Sequence, residues 1–266
     1  MSGLSEPRSA PPAADERGGP AGSSRLVDFA SPLFNFRDVG GLATADGGEV
    51  RRGVLFRSDT LTALGEADRE RFAQFGVRTV IDLRHPVELE RHGRAPAWCC
   101  EDWHNVPLNN PVWRAEDYSP EAGVVAFLLA RYHETAEHAA ADIARAVELI
   151  ATAEGPTVVH CWGGRDRTGV VIALVLELAG VSDIDIAADY ELTEQGMARY
   201  LNWQRHNRPD KGPLQPYLAS TPAEVMRVFL AQLRDRHGSV RAYLTGAGLA
   251  EENIQALRSR LREQRP

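Results

Sequence analysis

Residues 160–169 read His-Cys-Trp-Gly-Gly-Arg-Asp-Arg-Thr-Gly. Cys161 and Arg167 bracket a short loop that carries Gly163 and Gly164. A β-branched apolar run, 156–160, precedes it, and an apolar run over 167–180 follows. The pattern predicts strand, tight loop and helix. A loop that enters a helix N-terminus presents unpaired backbone N–H groups and the positive end of the helix dipole. Together these form a nest for a phosphate. The two glycines let the amides turn inward, and Arg167 adds a planar fork for two phosphate oxygens. A thiol in that field is favoured as the thiolate. The chemistry expected of Cys161 is in-line attack on a phosphate ester, giving a cysteinyl-phosphate that water hydrolyses. Thr168 would hydrogen-bond the thiolate and help it leave. His160 suits hydrogen bonding to the loop backbone better than a role as base, and a plain structural histidine fits as well.

The departing ester oxygen needs a proton from an acid. Asp166, inside the loop, is the first choice. Asp82, at the end of the run 77–84, is the second, with a salt bridge to Arg84 or Arg37 as its competing use. Asp102 and Asp117 trail behind. Trp162 would flank the pocket and stack on a phenyl ring, or pack beneath it. Arg165 would contact a second phosphate or the substrate rim. The more ordinary use of a cysteine ending a strand, as a small buried hydrophobe, does not account for the glycines, Arg167 and Thr168 beside it.

Stepping outward, 33–42 and 53–59 predict two short strands around the turn 46–49, and 77–84 a buried parallel strand. A weaker strand falls at 103–108. Residues 60–76 predict a short helix ended by Gly76. The run 119–155 predicts two helices broken near Glu134–Glu137. Ser182 or Asp183 caps a further helix, and 221–238 and 249–263 predict two more. The segment 205–221 is loop-like, a lid or a connector. Strands alternating with helices predict an α/β domain, a central mainly parallel sheet flanked by helices, with a helical C-terminal part.

The chain has 266 residues with a formal net charge of −7, so no basic field suggests nucleic acid. It lacks an apolar run long enough for a membrane span and a signal-peptide apolar region. Three cysteines, two of them adjacent, make a poor disulfide framework and suit a reducing, cytoplasmic setting. Cys99, Cys100 and His104 lack the paired spacing of a zinc site, and no metal or cofactor is expected. Cys99 or Cys100 would protect Cys161 as a reversible disulfide if close in space, but a buried pair of small apolar residues suits them better. Residues 1–24, rich in Pro, Gly, Ala and Ser, predict a disordered lead-in to one domain over 25–266. Oligomeric state is not legible.

The loop resembles the signature of the cysteine-dependent protein tyrosine phosphatases, and more sharply the bacterial tyrosine/serine phosphatase group, His-Cys-x-x-Gly-Lys-Asp-Arg-Thr-Gly. "NFRDVGG" (35–41), "FRSD" (56–59), "VIDLR" (80–84) and "DYELTE" (189–194) match that group's other motifs in order, over roughly residues 26–263. The resemblance implies a tyrosine phosphatase-like fold and a dual- or triple-specificity enzyme. Its substrates would be phosphorylated proteins, with phosphotyrosine first and phosphoserine, phosphothreonine or phosphoinositides beside it. Arg37, Asp38, Arg57 and Asp59 would brace the loop. Two departures stand out: Arg165 replaces the family lysine, and Trp162 puts a bulky aromatic in the loop. The Trp-Pro-Asp acid loop of the eukaryotic enzymes is absent, since Trp98 is followed by Cys99. A non-catalytic phosphate-binding module and a rhodanese-type sulfurtransferase are the competing readings. The first has no need of Cys161, and the second has no need of Arg-Thr-Gly.

Overall fold

The β-branched runs assemble into a five-stranded sheet in the computed structural model, which describes residues 25–109 and 114–263. In chain order the elements are β1 (Arg37–Asp38), β2 (Glu49–Val50), β3 (Leu55–Ser58), α1 (Arg69–Ala73), β4 (Thr79–Asp82), α2 (Pro86–His92), β5 (Asp102–Asn105), α3 (Gly123–His138), α4 (Ala140–Thr152), β6 (Thr157–His160) and α5 (Asp166–Leu178). They continue with α6 (Asp183–Glu191), α7 (Thr193–Asn207), α8 (Pro216–Ala219), α9 (Ala223–His237), α10 (Val240–Gly246), α11 (Glu251–Leu261) and β7 (Arg262–Glu263). The lead-in expected over 1–24 lies outside the described residues.

The strand order is β1-β3-β6-β4-β5. β1 runs antiparallel to β3, and β3, β6, β4 and β5 are mutually parallel. β6 is therefore the middle strand. Its side chains alternate between two apolar layers, as strand geometry requires. Val158 joins Phe36, Phe56, Phe72 and Val80 beneath α1. Val159 joins Leu55, Ile81 and the helical layer of α3, α4, α5 and α9. α5 lies inside that layer and is apolar almost all round, from Val170 to Leu176. Register places Ser58, Asp82 and His160 level with one another. The residues that follow them emerge together at the carboxyl edge, where open α/β sheets bind ligands.

Several local expectations shift. Residues 60–76 form two 3-10 turns and the short α1, because Asp68 turns its carboxylate to the amides of Ala30 and Ser31 at 2.6 and 3.0 Å. The α3–α4 break falls at Ala139, just beyond the expected glutamates. Ser182 is the cap of α6, accepting from the Asp185 amide. α10 was not foreseen, nor was the two-residue pairing of β2 with β7. The segment 205–221 contains α8 and buries Tyr217.

The guard disulfide, the lesser of the two readings of Cys99 and Cys100, does not fit this topology. Cys99 and Cys100 precede the amino end of β5, whereas Cys161 follows the carboxyl end of β6, two strands away. The length of a four-residue strand and two inter-strand steps separate them by well over ~10 Å, beyond the ~7 Å that a disulfide spans. All three cysteines are free.

Candidate active site

Cys161 directly follows the central strand β6 and is 2% exposed, at the floor of the loop. Three successive carbonyls of that loop are tied back into the protein. Trp162 O accepts from the Thr60 amide at 2.9 Å. Asn35 Nδ2 donates to Gly163 O and Gly164 O at 3.0 and 3.2 Å. Arg57 donates to Gly164 O at 2.8 Å. In a planar trans peptide the N–H points opposite the C=O. The amides of Gly163, Gly164 and Arg165 are therefore turned the other way, the arrangement that makes an anion nest. Gly164 has φ +65°, and a Cβ there would lie 2.2 Å from Ser58 O. Gly163 meets nothing within 4 Å, so its glycine is not forced by packing.

The side chains that pull the Gly163 and Gly164 carbonyls back come from the two N-terminal motifs. Asp189, on α6, receives Arg37 at 3.2 Å and Arg57 at 2.8 Å, all three fully buried. Burial works against its charge, but Arg37, Arg57 and Arg25 hold the Asp189 carboxyl down at about 2. Arg37 also grips the Asn35 side-chain oxygen, fixing the amide nitrogen toward the loop. Asp59 accepts from the Phe34 and Asn35 amides at 2.9 and 3.0 Å, and its burial pushes it up to about 6. Asp38 does something else, bonding the Gly40 and Gly53 amides.

Arg167 opens α5's first turn and is gripped from both nitrogens by Glu88, at 2.6 and 3.0 Å. Burial opposes the Arg167 charge, but Glu88 and Cys161 raise its pKa above the ordinary arginine value. Glu88 went unnoticed in the sequence. Its signal was the helix start itself, Pro86 at the first position and Glu88 at the third, where its carboxylate also takes the His85 amide at 2.8 Å. Trp162 is 45% exposed and leans on His92, ring centroids 4.4 Å apart.

Arg165 departs from its expected place at the substrate rim. Its guanidinium is buried and reaches the carbonyls of Tyr217, Leu218 and Ser220 at 2.8, 2.9 and 3.1 Å. Its Nε donates to Asp166 at 2.8 Å. Those four acceptors occupy it. Asp82 also departs from expectation. It is wholly buried, with Arg84 on its two oxygens at 2.9 and 2.6 Å. That is its competing use, and it leaves no route to a leaving oxygen. Asp102 sits at the opposite end of the sheet. Asp166 is partly exposed at the start of α5 and accepts from the Tyr132 hydroxyl at 2.8 Å. His160 places Nδ1 3.1 Å from Cys161 O, and burial lowers its pKa and keeps it neutral. Thr168 is buried, and its hydroxyl has no hydrogen-bond partner among the described residues.

The profile of the tyrosine phosphatase family matches residues 30–263. The chain belongs to that family. It is similar to the triple specificity protein phosphatase PtpB of Mycobacterium tuberculosis, 29% identical over 267 residues, covering 85% of this chain and 95% of that protein. It is also similar to a tyrosine-protein phosphatase of Nostoc commune, 27% identical over 224 residues, covering 78% of this chain and 74% of that one. The crystal structure of P. aeruginosa TpbA in complex with pTyr is 15% identical, covers 90% of this chain and 97% of that chain, and has a TM-score of 0.30. As a tyrosine phosphatase family member this is a cysteine-dependent hydrolase of phosphate monoesters. Among the described residues, no helix is long and apolar enough to cross a membrane.

Proposed function

We propose that the chain hydrolyses phosphotyrosine first among phosphate monoesters, with phosphoserine and phosphothreonine as slower protein substrates. The observation that carries this is the inverted loop between Cys161 and Arg167, with three carbonyls held back and the amides that follow them turned the other way. The amides and Arg167 bind the phosphate oxygens, and Sγ of Cys161 attacks phosphorus. The phosphorus–ester bond breaks, and Asp166 gives the departing oxygen its proton. Water then attacks the cysteinyl-phosphate, returns a proton to Asp166 and expels the thiolate, to which Thr168 donates. Such preorganised donors act where charge develops. No step calls for a metal or cofactor.

Two features support an aryl monophosphate over a phosphoinositide. Arg165, the second cation of the loop, is occupied elsewhere, leaving Arg167 as the loop's cation beside Cys161. Trp162 and Val87 are exposed apolar side chains on the loop and on the helix that holds Glu88, suited to a phenyl ring. Three free cysteines suit a reducing compartment, which we take to be the cytoplasm. The test is a panel of phosphotyrosine, phosphoserine and phosphothreonine peptides and phosphoinositides, with Cys161→Ser as control. Phosphotyrosine should lead and the control should be inactive. Phosphoinositide preference would overturn the substrate reading, and turnover by Cys161→Ser would overturn the mechanism.

A further inference from the structure

Tyr132, fully buried on α3, donates its hydroxyl to Asp166 Oδ1 at 2.8 Å, and Arg165 Nε reaches the same oxygen at 2.8 Å. The oxygen of Tyr190, on α6, lies 2.5 Å from that of Tyr132. A phenol has one proton to give, and a carboxylate only accepts. The direction follows: Tyr190 donates to Tyr132, and Tyr132 to Asp166. Burial, with the Asp166 and Tyr190 charges next, pushes the Tyr132 phenol well above its ordinary value, so it stays a donor. Packing alone does not explain the hydroxyls. The two rings meet edge to face at 6.1 Å, as two phenylalanines would. Gly169 is what admits the second ring, since a Cβ there would lie 3.1 Å from it.

We propose that Tyr132, backed by Tyr190, is a positioning residue for the proton transfers of this phosphatase. Resting on the assignment of Asp166 as the acid, it holds Oδ1 fixed and leaves Oδ2 to exchange the proton. In the first step Oδ2 gives its proton to the ester oxygen as the phosphorus–oxygen bond breaks and the sulfur–phosphorus bond forms. In the second, Oδ2 takes a proton from the water that bonds to phosphorus as sulfur leaves. Asp166 must therefore be acid and then base within one turnover. A hydrogen bond to the carboxylate favours the ionised form that the second step needs. The groups facing Asp166 are Arg165 and Arg167 from its own loop and helix, Tyr132 from α3 and Tyr190 from α6, with Arg57 of β3 facing Tyr190. The three cations are unchanged when a phenol becomes a phenyl ring, so a shift reports the hydroxyl.

The experiment is the pH profile of kcat/KM for Tyr132→Phe, Tyr190→Phe and Asp166→Asn, on phenyl phosphate and on p-nitrophenyl phosphate. Without its donor, Asp166 keeps its proton to higher pH. The alkaline limb of Tyr132→Phe should move up by roughly 0.5–1 pH unit. Its kcat should fall about tenfold on phenyl phosphate, whose leaving group needs the acid, and less on p-nitrophenyl phosphate. In the Asp166→Asn background the substitution should add nothing. An unmoved limb and equal losses on both esters, while Asp166→Asn flattens the limb, would overturn the role of Tyr132 and leave Asp166 standing. A limb retained by Asp166→Asn would instead remove Asp166 as the acid, and this inference with it. Thermal melting reports whether Tyr132→Phe is folded. If it is not, Tyr190→Phe decides, with a smaller upward shift expected and an unmoved limb overturning the proposal.

Discussion

Replacing Arg165 by methionine tests whether its cation serves the fold or the substrate. The side chain is 3% exposed and makes four hydrogen bonds, one to Asp166 and three to the carbonyls of Tyr217, Leu218 and Ser220. Methionine fills much of the volume but offers no donor. Breaking a buried ion pair costs about 3–5 kcal/mol when its partner is left behind. Here Asp166 retains Tyr132 and is partly exposed, so that part is nearer ~1–2 kcal/mol. The three carbonyls add ~1 kcal/mol or less each where water cannot replace the donor. A total of about 3 kcal/mol lowers Tm by roughly 6–12 °C in a chain of this size. Thermal melting gives that number. Initial rates on phenyl phosphate and on a bisphosphorylated inositide give the other. Both substrates should lose kcat/KM by a common factor, because the guanidinium is taken up by Asp166 and three backbone carbonyls and its loss loosens the loop for either. An unchanged Tm with KM raised only for the bisphosphorylated substrate would refute the reasoning and return Arg165 to the substrate rim.

Glu88→Gln removes the charge that clamps Arg167 while keeping one acceptor. With both side chains partly exposed, the loss should be about 1–2 kcal/mol of transition-state binding, a 5- to 30-fold fall in kcat/KM at little cost in Tm; wild-type kinetics would show that Arg167 needs no clamp. Asp59, raised by burial to about 6 from 3.8, contributes stability that is full below about pH 4 and lost as pH rises through 6. Asp59→Asn should therefore gain on the wild type between pH 4 and 7, by up to about 3 kcal/mol in urea unfolding, and a constant difference would sink the assignment. The opposing contribution of His160, lowered by burial, is common to both proteins and cancels in that difference.

The strand, loop and helix around Cys161 were legible because each announces itself locally. β-Branched runs end at glycines, and the cysteine and arginine stand at the two ends of one loop. The braces Arg57 and Arg37 were legible as charges near the loop, though not in their contacts. What the sequence hid is direction. Arg165 sits between the nucleophile and the binding arginine, where a cation looks substrate-facing. Its acceptors come from 217–220, more than fifty residues later, and local pattern says nothing of them. Tyr132 was hidden for the opposite reason. It lies in an apolar helix at core spacing, so its ring explained it fully and its hydroxyl asked for nothing. Glu88 read as an ordinary first-turn acid, which it also is.

The buried charges below the loop make better sense as geometry than as stability. Asp189 with Arg37 and Arg57, and Asp82 with Arg84, take ions out of water. Apolar residues of equal volume often serve a fold as well or better. An apolar replacement of Arg57 or Asn35, however, would release the carbonyls of Gly163 and Gly164. A freed carbonyl could rotate into the cup, replacing a donor to phosphate with a negative dipole. Arg57, and Arg37 through Asn35, thus hold the Gly163 and Gly164 peptide planes in the orientation that phosphate requires, before any phosphate arrives. That prior orientation is what an electrostatic catalyst needs, since donors already in place require no reorganisation as charge develops. It also explains why the motifs at 35–41, 56–59 and 189–194, far apart in the chain, meet under one loop: Asn35 and Arg37, Arg57, and Asp189 are the frame that keeps those planes inverted.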